Sequence, residues 1–373
     1  MFRPQIIALG PLLPSIQAGL GISHAVAGAL SSIPVLCMGI FAPLAPLVAR
    51  RLGARWALAL CAVLVVVFGL LRLAVPGPVL ILALTFGIGL GMGLAGPIFP
   101  LVVRHEMPSR PALGTGAYAI GLVLGSTVAA AFAVPLAGDA GDWRFALAVI
   151  TLAGLGSLAV WLGLAPADEA VDETIEPPRI PWRSPVAWVL GVLFGLQSML
   201  YYGVVTWLAA VYIDHGWSDP DSANLVALFG ATTLVATSVM PLGADRIGTR
   251  RGQLVFASVL ILTGLVGVLV APDPGVVWAL VLGAGMGGIF PIVLTLPVDV
   301  GGSPADVSAT AAMMLLVGYI LSAVAPFAFG VTRDVTGDFT LGLWLLAGLG
   351  VVLVALCAAL TPARLQAIGA AEA

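Results

Sequence analysis

Long runs of apolar residues alternate with short polar turns along the whole length of this chain. Each run contains roughly 18 or more residues, enough for an α-helix to cross a hydrocarbon layer about 30 Å thick. The pattern therefore predicts an all-α integral membrane protein with twelve transmembrane helices, called spans 1 to 12 below. The predicted bounds are 3–20, 24–49, 55–75, 78–103, 112–136, 143–164, 186–213, 221–242, 252–271, 275–297, 308–331 and 339–361.

The longest polar stretch, APADEAVDETIEPPRIPWRSP, lies between spans 6 and 7 and divides the chain into two similar parts. We therefore expect an N-terminal six-helix half at 1–164, a cytoplasmic linker at 165–185, a C-terminal six-helix half at 186–362 and a tail at 363–373. Because each half contains an even number of spans, both halves enter the membrane from the same side.

Composition supports this assignment. Hydrophobic residues make up 60% of the chain and charged residues only 9%, whereas about a quarter of the residues in a soluble domain are charged. A soluble protein is therefore excluded. The net charge of −3 selects no class of partner, because few charges exist at all.

The arginines are distributed unevenly between the two sets of loops, and the chain contains no lysine. Cytoplasmic loops of membrane proteins carry an excess of basic residues. Eleven arginines follow spans 2, 4, 6 and 8 or lie in the tail, namely Arg50, Arg51, Arg55, Arg104, Arg110, Arg179, Arg183, Arg246, Arg250, Arg251 and Arg364. Only Arg72, Arg144 and Arg333 are assigned to the opposite side, with Arg3 set apart. We therefore expect the loops after the even-numbered spans and both termini to be cytoplasmic.

Two internal repeats relate the halves. PLVARRLGAR at 46–55 matches PLGADRIGTR at 241–250, and GPIFPLVV at 96–103 matches GGIFPIVL at 287–294. Both matches join equivalent spans, so they indicate a parallel repeat with its axis along the membrane normal. Repeats of this kind place a binding site between the halves near the midplane.

Span 7 contains the polar residues best placed to line such a site. Gln197 lies about twelve residues into the span, near mid-depth at 1.5 Å per residue, and its amide must find partners in protein or a wet cavity. Tyr201 lies one turn further on the same face, and Trp207 closes the end of the span. Tyr118 in span 5 and Tyr319 in span 11 are further candidates. The alternative for Gln197 is a hydrogen bond between helices.

Other site chemistry is missing from the sequence pattern. The glycines of GIGLGMGLAGPIFP lie inside an apolar span and cannot form a phosphate-binding loop after a strand. The histidines lie at span ends without metal-ligand spacing and are interpreted as solvated, and the cysteines lie in apolar runs as small core residues. We therefore expect neither an enzyme nor a cofactor or metal.

No aspartate or glutamate lies in the middle of a predicted span. Proton-coupled carriers often use such a carboxylate as a relay. The acids nearest the spans, Glu106, Asp245 and Asp299, lie at span edges, so the sequence indicates no proton relay.

The turns after spans 2 and 8 resemble the loop signature of the major facilitator superfamily, G-x-x-x-D-R-x-G-R-R. The second turn has Asp245, Arg246 and Arg250 at matching positions, whereas the first has Arg51 and Arg55 but lacks the acid. A carboxylate at a helix end can bridge to arginines and to a neighbouring helix N-terminus. These five residues are therefore predicted to form a cytoplasmic latch. The alternative is a set of positively charged anchors without a switching role.

A wider resemblance follows from longer segments. RPQIIALGPLLP, SSIPVLCMGIFAPLAPLVARRLG, FGLQSMLYYGVVTWL and GGIFPIVLTL, with VGYILSAVAPFAFGVTRDVTGDFT, are similar to the cyanate permease / 2-nitroimidazole exporter family. The resemblance implies a twelve-helix secondary carrier that moves a small anion or a small polar heteroaromatic without ATP. Leu315 stands where such proteins often carry a polar residue, and this departure, with the missing acid of the first turn, weakens the transfer of a substrate from the family.

Arg3 stands at the front of the first apolar run, and geometry allows two interpretations. Either span 1 is short and Arg3 reaches the inner membrane face, or an upstream half-span is missing and Arg3 lies within the membrane. In the resembling family an apolar stretch precedes this arginine-proline pair, which favours an N-terminally truncated first helix. Arg3 would then face the cavity as a functional charge.

The sequence thus predicts a secondary transporter of the bacterial cytoplasmic membrane that moves a small, cyanate-like anion by alternating access. Arg3 supplies the positive field, and Gln197 and Tyr201 orient the substrate. The alternatives are an exporter of neutral heteroaromatics that stack on the tyrosines and Trp207, and a membrane receptor or sensor that does not transport. We expect a monomer whose partners are the lipid bilayer and a small molecule, without nucleic acid.

The arginine pattern makes a prediction about topology. A cysteine introduced by Glu173→Cys should be shielded from a membrane-impermeant thiol reagent in intact cells and should react after permeabilisation, because the linker is cytoplasmic. Labelling in intact cells at the rate of a cysteine on the opposite face would reverse the predicted orientation.

Overall fold

The computed structural model describes residues 2–106, 111–138, 142–164, 180–243 and 250–360. These ranges consist of α-helices, a 3-10 helix at Ala42–Leu44 and connecting turns. In chain order the α-helices are α1 (Pro4–Ile7), α2 (Leu9–Leu20), α3 (His24–Phe41), α4 (Ala45–Ala74), α5 (Pro78–Glu106), α6 (Pro111–Ala137), α7 (Trp143–Leu164), α8 (Pro185–Asp214), α9 (Asp219–Gly243), α10 (Arg250–Val270), α11 (Gly275–Val300), α12 (Pro304–Ser322), α13 (Val324–Thr336) and α14 (Thr340–Ala359).

These helices form the twelve predicted spans. Helices α1 and α2 together make span 1, and α12 and α13 together make span 11. Helix α4 belongs to two spans, because Gly53 has non-helical dihedral angles (φ 77°, ψ 155°) that only glycine adopts readily. By length and composition, ten segments of the described chain can cross a membrane, and one of them, His24–Ala74, contains both spans 2 and 3.

Prolines explain why spans 1 and 11 are each divided, although the sequence pattern predicts single helices. A proline inside a helix lacks the amide hydrogen, and its ring clashes with the carbonyl four residues earlier. Helix α1 ends at Ile7, four residues before Pro11, and α12 ends at Ser322, four residues before Pro326. Each interruption therefore coincides with the carbonyl that the proline ring displaces, although Pro34 and Pro135 lie inside helices that continue without a division.

Each half packs around buried apolar side chains, and the three cysteines lie buried as free thiols, as predicted. Between the halves, α3 packs on α12 and α13, α6 packs on α9, and α2 packs on α8. Residues 165–179 of the predicted linker and the predicted tail at 363–373 lie outside the described residues.

Spans 2 and 11 approach each other closely between the halves, along residues 24–32 of α3 and 326–334 of α13, called the 2/11 seam below. A Cβ atom at Gly28 would lie 2.2 Å from the Pro326 carbonyl oxygen, and one at Gly330 would lie 2.3 Å from the His24 carbonyl oxygen. Only glycine fits at these positions. Small residues of this kind allow helix backbones to approach closely in membranes.

A carboxylate from one half caps a helix of the other half at this seam. Asp334 of α13 accepts hydrogen bonds from the backbone amides of His24 (2.9 Å) and Ala25 (2.8 Å) at the start of α3. Its Oδ1 also lies 2.8 Å from His24 Nδ1. His24 therefore lies at a span end with 31% of its side chain exposed, as interpreted from the sequence, and its ring and amide also contact the opposite half.

This cap makes a prediction about stability. Asp334→Ala should lower the melting temperature of the detergent-solubilised protein, because two helix-terminal amides lose their acceptor, at a cost of about 1–2 kcal/mol. Asp338→Ala is a matched control, since Asp338 caps the Thr340 amide of its own half. A smaller effect for Asp334→Ala than for Asp338→Ala would contradict a stabilising role for the cap across the seam.

Candidate functional site

The candidate site is built around Arg3, which immediately precedes α1 and is only 7% exposed. The centre of its guanidinium lies 5.5 Å from the centre of the Tyr201 ring in span 7 and 5.4 Å from that of Phe290 in span 10. These distances are within the range of cation–π attraction. Arg3 of the N-terminal half thus lies against two aromatic rings of the C-terminal half.

Tyrosines from three further positions approach the same guanidinium, and Arg3, Phe290 and all the tyrosines are called the Arg3 cluster below. The additional members are Tyr118 of span 5, Tyr202 of span 7 and Tyr319 of span 11. Aromatic neighbours hold two of them in place. Tyr118 stacks on Phe99 with ring centres 4.7 Å apart, and Tyr319 meets Phe194 edge-on at 5.1 Å. The structure therefore brings together four of the six predicted binding residues, namely Arg3, Tyr118, Tyr201 and Tyr319.

The charge of Arg3 has no carboxylate partner in the part of the chain that the structure describes. Its buried Nε also lacks a hydrogen-bond acceptor there. An arginine side chain stays protonated in proteins and has five N–H donors. The cluster is therefore a fixed positive charge with unused donors, surrounded by aromatic rings and phenolic hydroxyls.

Gln197 lies in the interior of span 7, one turn before Tyr201, as its position in the sequence suggested. Its Nε2 donates a hydrogen bond to Ser198 Oγ at 2.5 Å, and the side chain is buried. The amide therefore has a partner on its own helix, and no direct contact with Arg3 is observed.

Trp207 lies apart from the Arg3 cluster and packs against the 2/11 seam. Its indole nitrogen donates a hydrogen bond to the Pro326 carbonyl at 2.9 Å, and its ring stacks on Phe329 with centres 5.9 Å apart. Six residues of helix, or roughly 9 Å, separate it from Tyr201. Its indole hydrogen is already used by this bond, which explains why a tryptophan suits this position.

Tyr202 and Phe290 belong to the cluster but were missed from the sequence. Tyr202 also reaches span 2, where its hydroxyl lies 4.0 Å from Met38 Sδ. Phe290 and Phe99 occupy equivalent positions of the repeat GPIFP/GGIFP. One faces Arg3 and the other supports Tyr118, so the repeat itself was a signal that could have identified both.

The predicted latch residues that can be described make contacts within their own halves. Arg55 Nη2 donates to the Leu162 carbonyl of span 6, and Arg250 pairs with Asp299 of span 10. Arg51 is exposed. Asp245 and Arg246 lie outside the described residues, so the latch stays a prediction.

These contacts reveal a shared design of the two halves. Arg55 at the start of span 3 binds a carbonyl near the end of span 6, and Arg251 at the start of span 9 donates to the Ala358 carbonyl at the end of span 12 (2.9 Å). Cations stabilise helix C-termini, where carbonyl groups lack partners within the helix. In each half, an arginine therefore fastens the third span to the sixth.

Twelve helical passes in two bundles, with a polar cluster between them, are the architecture of a membrane carrier. The family model of the Major Facilitator Superfamily matches residues 5–326, and the chain belongs to that family. The predicted family and the predicted fold are thus confirmed.

Two relatives from Escherichia coli (strain K12) are similar over nearly the whole chain. The cyanate transport protein CynX is 32% identical over 340 residues, covering 90% of this chain and 88% of the relative. The 2-nitroimidazole transporter is 29% identical over 345 residues, covering 91% and 87%. These identities support the resemblance drawn from the sequence segments.

Solved structures agree on the fold. The D-xylose–proton symporter superposes with a TM-score of 0.77 at 16% identity, covering 95% of this chain and 94% of the other. The nucleoside transporter NupG gives a TM-score of 0.76 at 15% identity, covering 98% and 97%. At such identities the likeness concerns the fold alone.

Proposed function

We propose that this transporter moves a small anion across the membrane by alternating access, with Arg3 as the residue that binds the negative charge. The observation that carries this proposal is the buried Arg3 guanidinium, which has no carboxylate partner among the described residues. Following the arginine pattern, we also propose that both termini are cytoplasmic. We further propose that the protein is a monomer in the cytoplasmic membrane.

The energetic argument concerns what offsets the burial of this charge. An arginine near the centre of a membrane helix costs about 2.5–3.5 kcal/mol on insertion scales. Each cation–π contact returns about 0.5–2 kcal/mol, so Tyr201 and Phe290 compensate part of the cost. A bound anion would complete the compensation through charge-assisted, bidentate hydrogen bonds to the guanidinium.

The surrounding groups suit a small anion. Phenolic hydroxyls of Tyr118, Tyr202 and Tyr319 lie near the guanidinium and can donate further hydrogen bonds to an anion's oxygen or nitrogen atoms. The aromatic rings leave the site apolar on its other sides. A relative that bears the name of a cyanate transport protein agrees with this chemistry.

A neutral heteroaromatic is the second candidate substrate, and the ring-lined cluster is the observation that favours it. Aromatic rings prefer offset-stacked or edge-on neighbours, and Tyr201 and Phe290 offer such faces beside Arg3. A nitro group could accept hydrogen bonds from the same guanidinium. One relative is named as a 2-nitroimidazole transporter.

The test of the anion proposal is a comparison of Arg3→Ala, Arg3→Lys and Arg144→Ala in thermal-shift assays with cyanate, nitrate and 2-nitroimidazole. Cyanate or nitrate should stabilise the native protein and should lose this effect in Arg3→Ala. Arg3→Lys should retain part of it, because lysine keeps the charge but loses the planar fork. Arg144→Ala is the control, since Arg144 donates to the Leu73 carbonyl and lies against Trp143.

Uptake into proteoliposomes completes that test. Arg3→Ala should reconstitute as a folded protein yet lose uptake of the anion that stabilises the native protein. Full uptake by Arg3→Ala would contradict the proposal. Stabilisation by 2-nitroimidazole alone, unaffected by nitrate, would select the neutral substrate instead.

A further prediction concerns coupling. Net cyanate uptake into proteoliposomes should not be driven by an imposed pH gradient, because no carboxylate was found at mid-span to act as a relay. If a pH gradient does drive uptake, Glu106→Gln or Asp299→Asn should abolish that drive, unless the substrate itself carries the proton. Proton-driven uptake that survives both substitutions and involves no substrate proton would contradict this prediction.

A further inference from the structure

A second buried arginine lies in the N-terminal half. The sequence pattern places Arg72 near the end of span 3, on the side opposite the cytoplasm, and the structure places it in the last turn of α4 with 2% of its surface exposed. Its Nη2 donates a hydrogen bond to Gln5 Oε1 at 2.9 Å. Its Nε has no acceptor, and it pairs with no carboxylate within the described ranges.

The hydrogen bonds continue from Gln5 into span 6. Gln5 Nε2 donates to Thr151 Oγ1 at 3.0 Å, and Thr151 Oγ1 donates to the Leu147 carbonyl at 2.6 Å. Because a hydroxyl has one hydrogen, which here goes to Leu147, the Thr151 oxygen must accept from Gln5. This fixes the amide orientation, so the Gln5 oxygen necessarily faces Arg72.

Gly69 lets this network form without a gap. A Cβ atom at Gly69 would lie 2.8 Å from Thr151 Cγ2 and 3.7 Å from Gln5 Oε1. Spans 1, 3 and 6 therefore meet at Gln5, which is itself buried. Rotating the Gln5 amide away from Thr151 and Arg72 would break both hydrogen bonds. This rotation is costly, because a buried polar group without a partner carries a desolvation penalty.

Gln5 and Arg3 lie on opposite sides of the first turn of span 1. Two residues of α-helix turn the side chain by roughly 200°, so that Arg3 faces Tyr201 and Phe290 while Gln5 faces spans 3 and 6. Helix α1 is only four residues long and has no side-chain cap, and one residue with helical dihedral angles, Ala8, joins it to α2. The first turn of span 1 therefore depends on its side-chain contacts, as well as on the helix that follows, to keep its place.

We infer that Gln5 and Arg72 are positioning residues, which hold the first turn of span 1 in the rotation that turns Arg3 toward the substrate. The inference rests on the proposed function of Arg3. Neither residue contacts the substrate in this arrangement. Arg72 provides a charge-assisted bond, about twice as strong as a neutral one, and its fixed charge adds to the positive field of the N-terminal half.

The experiment compares Arg72→Met, Arg72→Lys, Gln5→Met and Arg144→Met in the full-length reconstituted protein. The measured quantities are the Kd for cyanate and nitrate, the KM and kcat of cyanate uptake, and the melting temperature. Arg72→Met and Gln5→Met should each raise the Kd and KM by about tenfold, or 1.4 kcal/mol, with a smaller change in kcat. Arg72→Lys should recover part of the affinity.

Arg144→Met is the matched control, because it removes a positive charge at the same end of the N-terminal half without touching Gln5. Its Kd should equal that of the wild type. A tenfold rise in the Kd of Arg144→Met as well would assign the effect to the loss of positive charge in general. That result would overturn the positioning role of Gln5 and Arg72.

A purely structural role predicts a different result, namely a lower melting temperature with an unchanged Kd in the folded fraction. That result in both Arg72→Met and Gln5→Met overturns the inference. If Arg72→Met does not fold, Gln5→Met and Arg72→Lys decide by the same criterion. If Arg3→Ala itself keeps the response to both anions, the proposed function fails first, and this outcome is separate from a failure of Gln5 and Arg72 alone.

Discussion

The organisation of this molecule depends on keeping one positive charge buried at the junction of its two halves. Arg3 cannot lose its proton, and a buried ion requires compensation that a hydrocarbon interior does not supply. The protein provides rings from spans 7 and 10 and hydroxyls from spans 5, 7 and 11. The charge of one half is therefore matched chiefly by groups of the other.

Because Arg3 contacts mainly the opposite half, its own half needs contacts that hold it there, and these are the hydrogen bonds of Gln5 to Thr151 and Arg72. The first turn of span 1 has charged or amide side chains on both sides, Arg3 toward the cluster and Gln5 toward spans 3 and 6. Within a half, contacts are fastened by hydrogen bonds such as those of Arg55 and Arg251. Between halves, the described contacts are mainly small residues, aromatic rings and the Asp334 cap. Rigid halves with an adaptable junction suit rocking around a fixed site.

Much of the fold and part of the site could be predicted from the sequence, for physical reasons that particular residues illustrate. Span geometry left two positions open for Arg3, and only the family resemblance favoured the cavity, whereas the helical repeat placed Tyr201. The burial of Arg72 was missed because an arginine close to a span end was counted only as a marker of orientation, whereas its side chain is buried and donates to Gln5 of span 1. Trp207 was grouped with the site because it lies on the same helix as Tyr201. Its position along that helix does not reveal that its indole N–H donates to the Pro326 carbonyl. The divisions of spans 1 and 11 lie four residues before Pro11 and Pro326, but they could not be predicted from the prolines alone, because Pro34 and Pro135 lie inside helices that are not divided.

The cap at the 2/11 seam has a consequence for the role of water. Helix α3 begins with amide groups whose acceptor, Asp334, belongs to the opposite half. If the two halves separate at this point, the carboxylate and both amides must be hydrated, since buried polar groups seldom remain without partners. Several ordered water molecules would enter with each separation. The balance between closed and open seams is thereby linked to water activity, so that solutes excluded from the protein surface favour the closed arrangement.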